Sequence, residues 1–135
     1  MTDMPYEATV PVRYSDHDTL GHVNNAAYAT FLEEARFSYF LDVLEEPLTD
    51  MSMVVAHMEL DFHAPVTSRT VDIGVAVTDV GERSFTIEYA VESDGEVAVT
   101  ASTVQVPIDQ ETGEAVPVPE QWRAAFTADN PTVEN

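Results

Sequence analysis

Residues 24–44 read NNAAYATFLEEARFSYFLDVL, and their reading decides the fold. Tyr28, Phe31, Leu32, Ala35, Tyr39, Phe40, Val43 and Leu44 recur at the three- and four-residue spacing of one helix face. Asn24 or Asn25 can cap the start and Pro47 marks the stop, which predicts a helix of about 20 residues, roughly 30 Å long. The other side carries Glu33, Glu34, Arg36 and Asp42, with Glu33 and Arg36 close to the apolar stripe. One apolar stripe of this length must be buried against another element.

The flanking sequence offers a sheet for that purpose. YEATVPVRY (6–14) alternates and predicts a first strand ending near Tyr14. MSMVVAHMELDFHAPV (51–66) is one long extended segment, broken near Pro65. TVDIGVAVTDV (70–80) puts Val71, Ile73, Val75 and Val77 on one face, and RSFTIEYAVES (83–93) does the same with Phe85, Ile87, Tyr89 and Val91. The DGE at 94–96 is a hairpin signal, and VAVTASTVQVPI (97–108) is the return strand. Residues 109–135 read as a loop, a short helix around Pro119 to Phe126 and a disordered end. The expected fold is therefore α+β: a five-stranded antiparallel sheet wrapped around one long central helix, the hotdog arrangement. One domain is expected over 1–135, its core about 5–108. An edge strand and a partly covered helix predict pairing of protomers.

Composition narrows the setting. Twenty-five Asp and Glu face five basic residues, all arginine (Arg13, Arg36, Arg69, Arg83 and Arg123), for a net charge of −20. That charge opposes binding to nucleic acid and to anionic membranes. It also repels itself in dilute solution, and molar salt screens that repulsion, so a high-salt cytoplasm is the expected environment. There is no cysteine, which removes disulfides, thiolate zinc sites and thiol nucleophiles. No apolar run is long enough to span a membrane, and MTDMPYEATV lacks the features of a signal peptide.

The segment before the helix, RYSDHDTLGHVNNAAY (13–28), is crowded with polar groups. A calcium loop starting at Asp16 would need ligands where Leu20 and Ala27 stand. A transition-metal site from Asp16, His17, Asp18 and His22 lacks a recognisable ligand spacing, so no metal is expected. Turn and cap chemistry accounts for Asn24, Asn25 and Gly21, and leaves the clustering of Asp16, His17, Asp18 and His22 unexplained. A helix start presents unpaired N–H groups and partial positive charge, which can polarise a carbonyl and stabilise an oxyanion. An aspartate beside such donors can attack an acyl carbon or activate water. No G-x-S-x-G nucleophile elbow is present.

VRYSDHDTLGHVNNAAYATFLEEAR (12–36) resembles the 4-hydroxybenzoyl-CoA thioesterase family of hotdog acyl-CoA thioesterases, and LDFHAPV (60–66) resembles that family's aromatic-x-x-P element. The resemblance covers about residues 5–108. It implies hydrolysis of a small to medium acyl-CoA to free acid and CoA, with no cofactor beyond the CoA of the substrate. It implies Asp18 as nucleophile or general base, and carbonyl-polarising helix amides near Asn24 and Asn25, with Gly21 and His22 completing the motif. Asn25 stands where some relatives have histidine, and cannot transfer a proton. Asp16 sits beside Asp18, and Arg83 stands where the family meets the CoA phosphates. Pocket walls are expected from Tyr28, Phe31, Val54 and Met58, a homodimer or homotetramer as the assembly, and the cytoplasm as the location. An acyl-ACP or other thioester hydrolase, or a non-catalytic acyl-binding protein, uses the same fold.

Overall fold

The computed structural model describes residues 4–45 and 52–133. In chain order these form β1 (Tyr6–Pro11), a short 3₁₀ turn (Tyr14–Asp16), α1 (Ala27–Tyr39), β2 (Met53–Phe62), β3 (Thr70–Val80), β4 (Phe85–Ser93), β5 (Glu96–Pro107) and α2 (Glu120–Asp129). The strands make one five-stranded sheet in the order β1-β3-β4-β5-β2, every pair antiparallel. This is the expected α+β hotdog fold. Among the described residues no helix is long and apolar enough to cross a membrane.

The predicted stripe of α1 is the buried one: Tyr28, Phe31, Leu32, Ala35 and Tyr39 are each at most 2 % exposed. They meet Val71, Ile73, Val75 and Val77 of β3 and Phe85, Ile87, Tyr89 and Val91 of β4 in one core. Full burial of side chains this size contributes about 1.5–3 kcal/mol each before entropy is charged. The helix itself is shorter than predicted. It runs 13 residues to Tyr39 and continues as a wider π-type turn over Phe40–Leu44, ended by Glu45 in the left-handed region at φ 57°. Pro47, the expected stop, lies outside the described residues.

Two features depart from the sequence reading. β2 carries a bulge between Val55 and His57, so the inward set changes phase there. Phe62, Leu60 and Met58 pair with Val99, Ala101 and Thr103 on the inner face, but Val54 pairs with Val106 on the outer face. Period-two counting cannot see the extra residue. The C-terminal segment also enters the core. Trp122 and Phe126 of α2 are buried, Phe126 packs on Phe85 at 4.8 Å and on Tyr39 at 6.3 Å between ring centroids, and the Asn130 side-chain amide donates to the Val77 carbonyl at 3.0 Å. Through Val133 the chain after α2 is packed, where a disordered end was expected.

Candidate active site

The loop from Arg13 to Asn25 is built by its own polar groups. Asp16 is 5 % exposed, and its Oδ2 accepts the Arg13 backbone N–H at 2.7 Å while Oδ1 accepts Arg13 Nη2–H at 3.1 Å. Burial alone would push this carboxyl up, but the Arg13 hydrogen bonds and charge outweigh it and hold the group below its ordinary value. The Asp16 carbonyl accepts the Asn24 N–H at 2.7 Å, so the end of β1 is tied to the approach to α1. Val23 N–H donates to the Val66 carbonyl at 2.9 Å, fastening the same loop to the segment after β2. Gly21 turns the chain at φ 78°, in the region where a side chain is strained.

Inside this frame Asp18 closes a small turn. Its Oδ1 accepts N–H groups from Leu20 at 2.9 Å and His22 at 3.2 Å, which sets the carboxylate's direction and leaves Oδ2 without a partner among the described residues. Asn24 caps the helix approach: its Oδ1 takes the Ala26 N–H at 2.9 Å. Asn25, one residue later, keeps its backbone N–H and side-chain amide free of hydrogen bonds among the described residues.

Asp18, His22, Val23, Asn25 and Tyr28 form one side of a cavity of about 320 Å³, and Phe62, His63, Ala64 and Pro65 form the other. The Tyr28 and Phe62 rings meet at 5.6 Å and join helix to strand across it. The Asp18 carboxyl and Asn25, two residues before the start of a 13-residue helix, thus line a single space, of a size for a thioester and the start of its arms.

Other expected site residues lie elsewhere. Both Asp16 oxygens accept from Arg13, so its side chain braces the loop, and it does not line this cavity. Val54 is on the outer face of β2, turned there by the bulge, and does not line this cavity. Met58 is on the inner face but beyond the cavity. Arg83 lies in the β3–β4 turn, where its Nη1–H donates to the Ala115 carbonyl at 3.1 Å. That turn is at the opposite end of the strands: Phe85 pairs with Gln105, seven residues along β5 from Ala98, the residue that binds the His63 backbone. Seven steps are about 23 Å, so Arg83 and Asp18 of one chain are far apart. Phe62 and His63 were not expected as site residues. Their signal was the DFHAP stretch itself, whose turn places both against the helix start; His63 Nε2 is also held 2.8 Å from Thr100 Oγ1.

Comparison with known proteins gives a consistent answer. Residues 12–126 match the family model of the thioesterase-like superfamily. The Bacillus subtilis protein YsmA is 34% identical over 127 residues, covering 84% of this chain and 86% of its own. A Thermus thermophilus thioesterase, solved with coenzyme A and Zn, is 34% identical and superposes with a TM-score of 0.87 over 97% of this chain and 98% of that one. A Synechocystis 1,4-dihydroxy-2-naphthoyl-CoA thioesterase is 21% identical, with a TM-score of 0.78 over 90% of this chain and 94% of that one, a likeness of fold.

Proposed function

The chain belongs to the thioesterase-like superfamily, and from that premise we propose that it hydrolyses an acyl-CoA to a free carboxylic acid and CoA at the cavity beside the start of α1. The observation that carries the reading is the shared cavity of Asp18 and Asn25. The thioester carbonyl oxygen lies against the free N–H of Asn25, where the helix start offsets the charge that grows on it. Asp18, oriented by Leu20 and His22, attacks the carbonyl carbon or takes a proton from the attacking water. Collapse of the tetrahedral adduct breaks the C–S bond and releases the thiolate of CoA. If Asp18 is the nucleophile, water then cleaves the anhydride it forms.

This chemistry needs no metal or organic cofactor, and CoA enters as part of the substrate. Among the described residues no three His, Asp or Glu side chains gather as metal ligands. The Thermus protein with CoA bound supports the carrier, at 34% identity over nearly the whole chain. A homodimer or homotetramer is the assembly we favour, supported by Val54, Val55 and Phe62 standing 37–48% exposed on edge strand β2. A cytoplasmic location is part of the same proposal, supported by a net charge of −20 that suits a high-salt cytoplasm.

The test is thiol release in molar KCl from a panel of acyl-CoAs and the same acyl groups on acyl carrier protein. Multiple turnover with faster release from CoA is expected. Faster release from the carrier protein would move the assignment to acyl-ACP, and tight binding without turnover would make this an acyl-binding protein.

A further inference from the structure

Arg36 takes no part in the chemistry at the helix entrance, yet it is the cation the fold has buried. It is 5 % exposed, its Nη1–H donates to Tyr89 Oη at 3.2 Å, and Tyr89 Oη shares a 2.7 Å hydrogen bond with Thr103 Oγ1. No carboxylate forms an ion pair with it among the described residues. Of five guanidinium donors one is used. Gln105, two residues along β5 from Thr103 on the same face, is 2 % exposed and its Oε1 is also without a partner. A buried charge without a counter-ion is among the costliest arrangements in a core, and it is relieved by an anion.

The position of Arg36 suggests which anion. α1 packs chiefly on β1 and β3, while Arg36 reaches Tyr89 of β4, which is bonded in turn to Thr103 of β5. On that side the inner face of the sheet is only half covered: Leu60 and Met58 of β2 and Ala101 of β5 are partly exposed. This apolar strip starts at Phe62, in the cavity, and ends at Met58, the register partner of Thr103. Four residues of strand are about 13 Å. Helical side chains also lean towards the helix start, which brings the guanidinium back towards the cavity.

We infer that the strip from Phe62 to Met58 holds the acyl chain and that Arg36, with Tyr89 and Thr103, receives a carboxylate at its far end, so that the substrate class is ω-carboxyacyl-CoA. This deepens the proposed function and rests on it. Charge complementarity selects the occupant: an acyl group of about eight carbons spans the strip and supplies the missing counter-ion.

Non-hydrolysable thioethers test the subsite apart from turnover. Binding of S-octyl-CoA, S-(hydroxyoctyl)-CoA and S-(carboxyheptyl)-CoA is measured by calorimetry with wild type, Arg36→Met and Arg36→Lys. The wild type is expected to bind the carboxylate at least tenfold tighter than the methyl-ended chain, with the hydroxyl between, in the range of a hydrogen bond to a charged group. Arg36→Met should erase that preference with octyl binding intact, and Arg36→Lys should keep part of it. Equal or tighter binding of S-octyl-CoA by the wild type overturns the inference and needs no variant to fold. So does an Arg36→Met protein that keeps the preference but changes its mass by light scattering, which would give the counter-ion to a second copy. Failure of the hydrolase reading looks different: no acyl-CoA turns over, whatever the thioethers do.

Discussion

The two aspartates of the DHD triplet should separate cleanly when each is replaced. Asp16→Ala removes a buried carboxylate that accepts the Arg13 backbone N–H at 2.7 Å and Arg13 Nη2–H at 3.1 Å. The Arg13 side chain is 70% exposed, so its ion pair contributes little. The bond from backbone N–H to charged oxygen is the larger loss, and it strands a donor; together these cost about 2–3 kcal/mol. For a chain of this length that is a fall in Tm of roughly 6–12 °C. Asp18→Asn keeps an oxygen to accept the Leu20 and His22 N–H groups at an exposed position, so its Tm should move by no more than about 2 °C. The pH dependence follows from the lowered Asp16 carboxyl. A depressed carboxyl adds stability above its unfolded value of about 3.9, and loses it as pH falls through the folded value. The gap in Tm between wild type and Asp16→Ala, followed by circular dichroism in molar KCl, should thus be full at pH 6–7 and close in acid. An unchanged Tm at pH 7, or a gap that persists at about pH 2, would refute the structural role given to Asp16.

Phe126→Ala removes a ring packed on Phe85 and Tyr39 with no exposure, and should cost about 3–5 kcal/mol by chemical denaturation; a cost below about 1 kcal/mol would take α2 out of the core. Arg83→Ala removes the bond to the Ala115 carbonyl and should cost about 1 kcal/mol with KM for acyl-CoA unchanged; a severalfold rise in KM would return Arg83 to the substrate phosphates. With a net charge of −20, Tm should rise steadily between about 0.1 M and 1 M KCl as the screening length falls from about 10 to 3 Å; a flat profile would contradict the high-salt reading.

Strong periodicities carried the fold. The stripe from Tyr28 to Tyr39 and the alternating sets of β3 and β4 report burial directly, because one face of each meets the core. The Asp94–Gly95 turn, with φ 53° and 80°, was equally readable from residue type. What escaped depends on single events in space. One extra residue at the β2 bulge sends Val54 outward. Trp122 and Phe126 sit in a short helix with few apolar positions, so its place in the core is settled by packing on Phe85. The motif brings Asp18, His22 and Asn25 to one cavity, but residue type does not say that Asp16 accepts from Arg13 or that Asn24 accepts from Ala26. Phe62 and His63 reach the site only through the antiparallel register of β2 with β5.

The central claim is that Asp18 breaks a thioester at the start of α1, and single-site kinetics test it most directly. Thiol release from the best acyl-CoA is followed for wild type and Asp18→Asn in molar KCl, with melting curves to show that both are folded. A fall in kcat of about 10² or more at unchanged Tm is the predicted result. A folded Asp18→Asn protein with wild-type kcat would contradict the account.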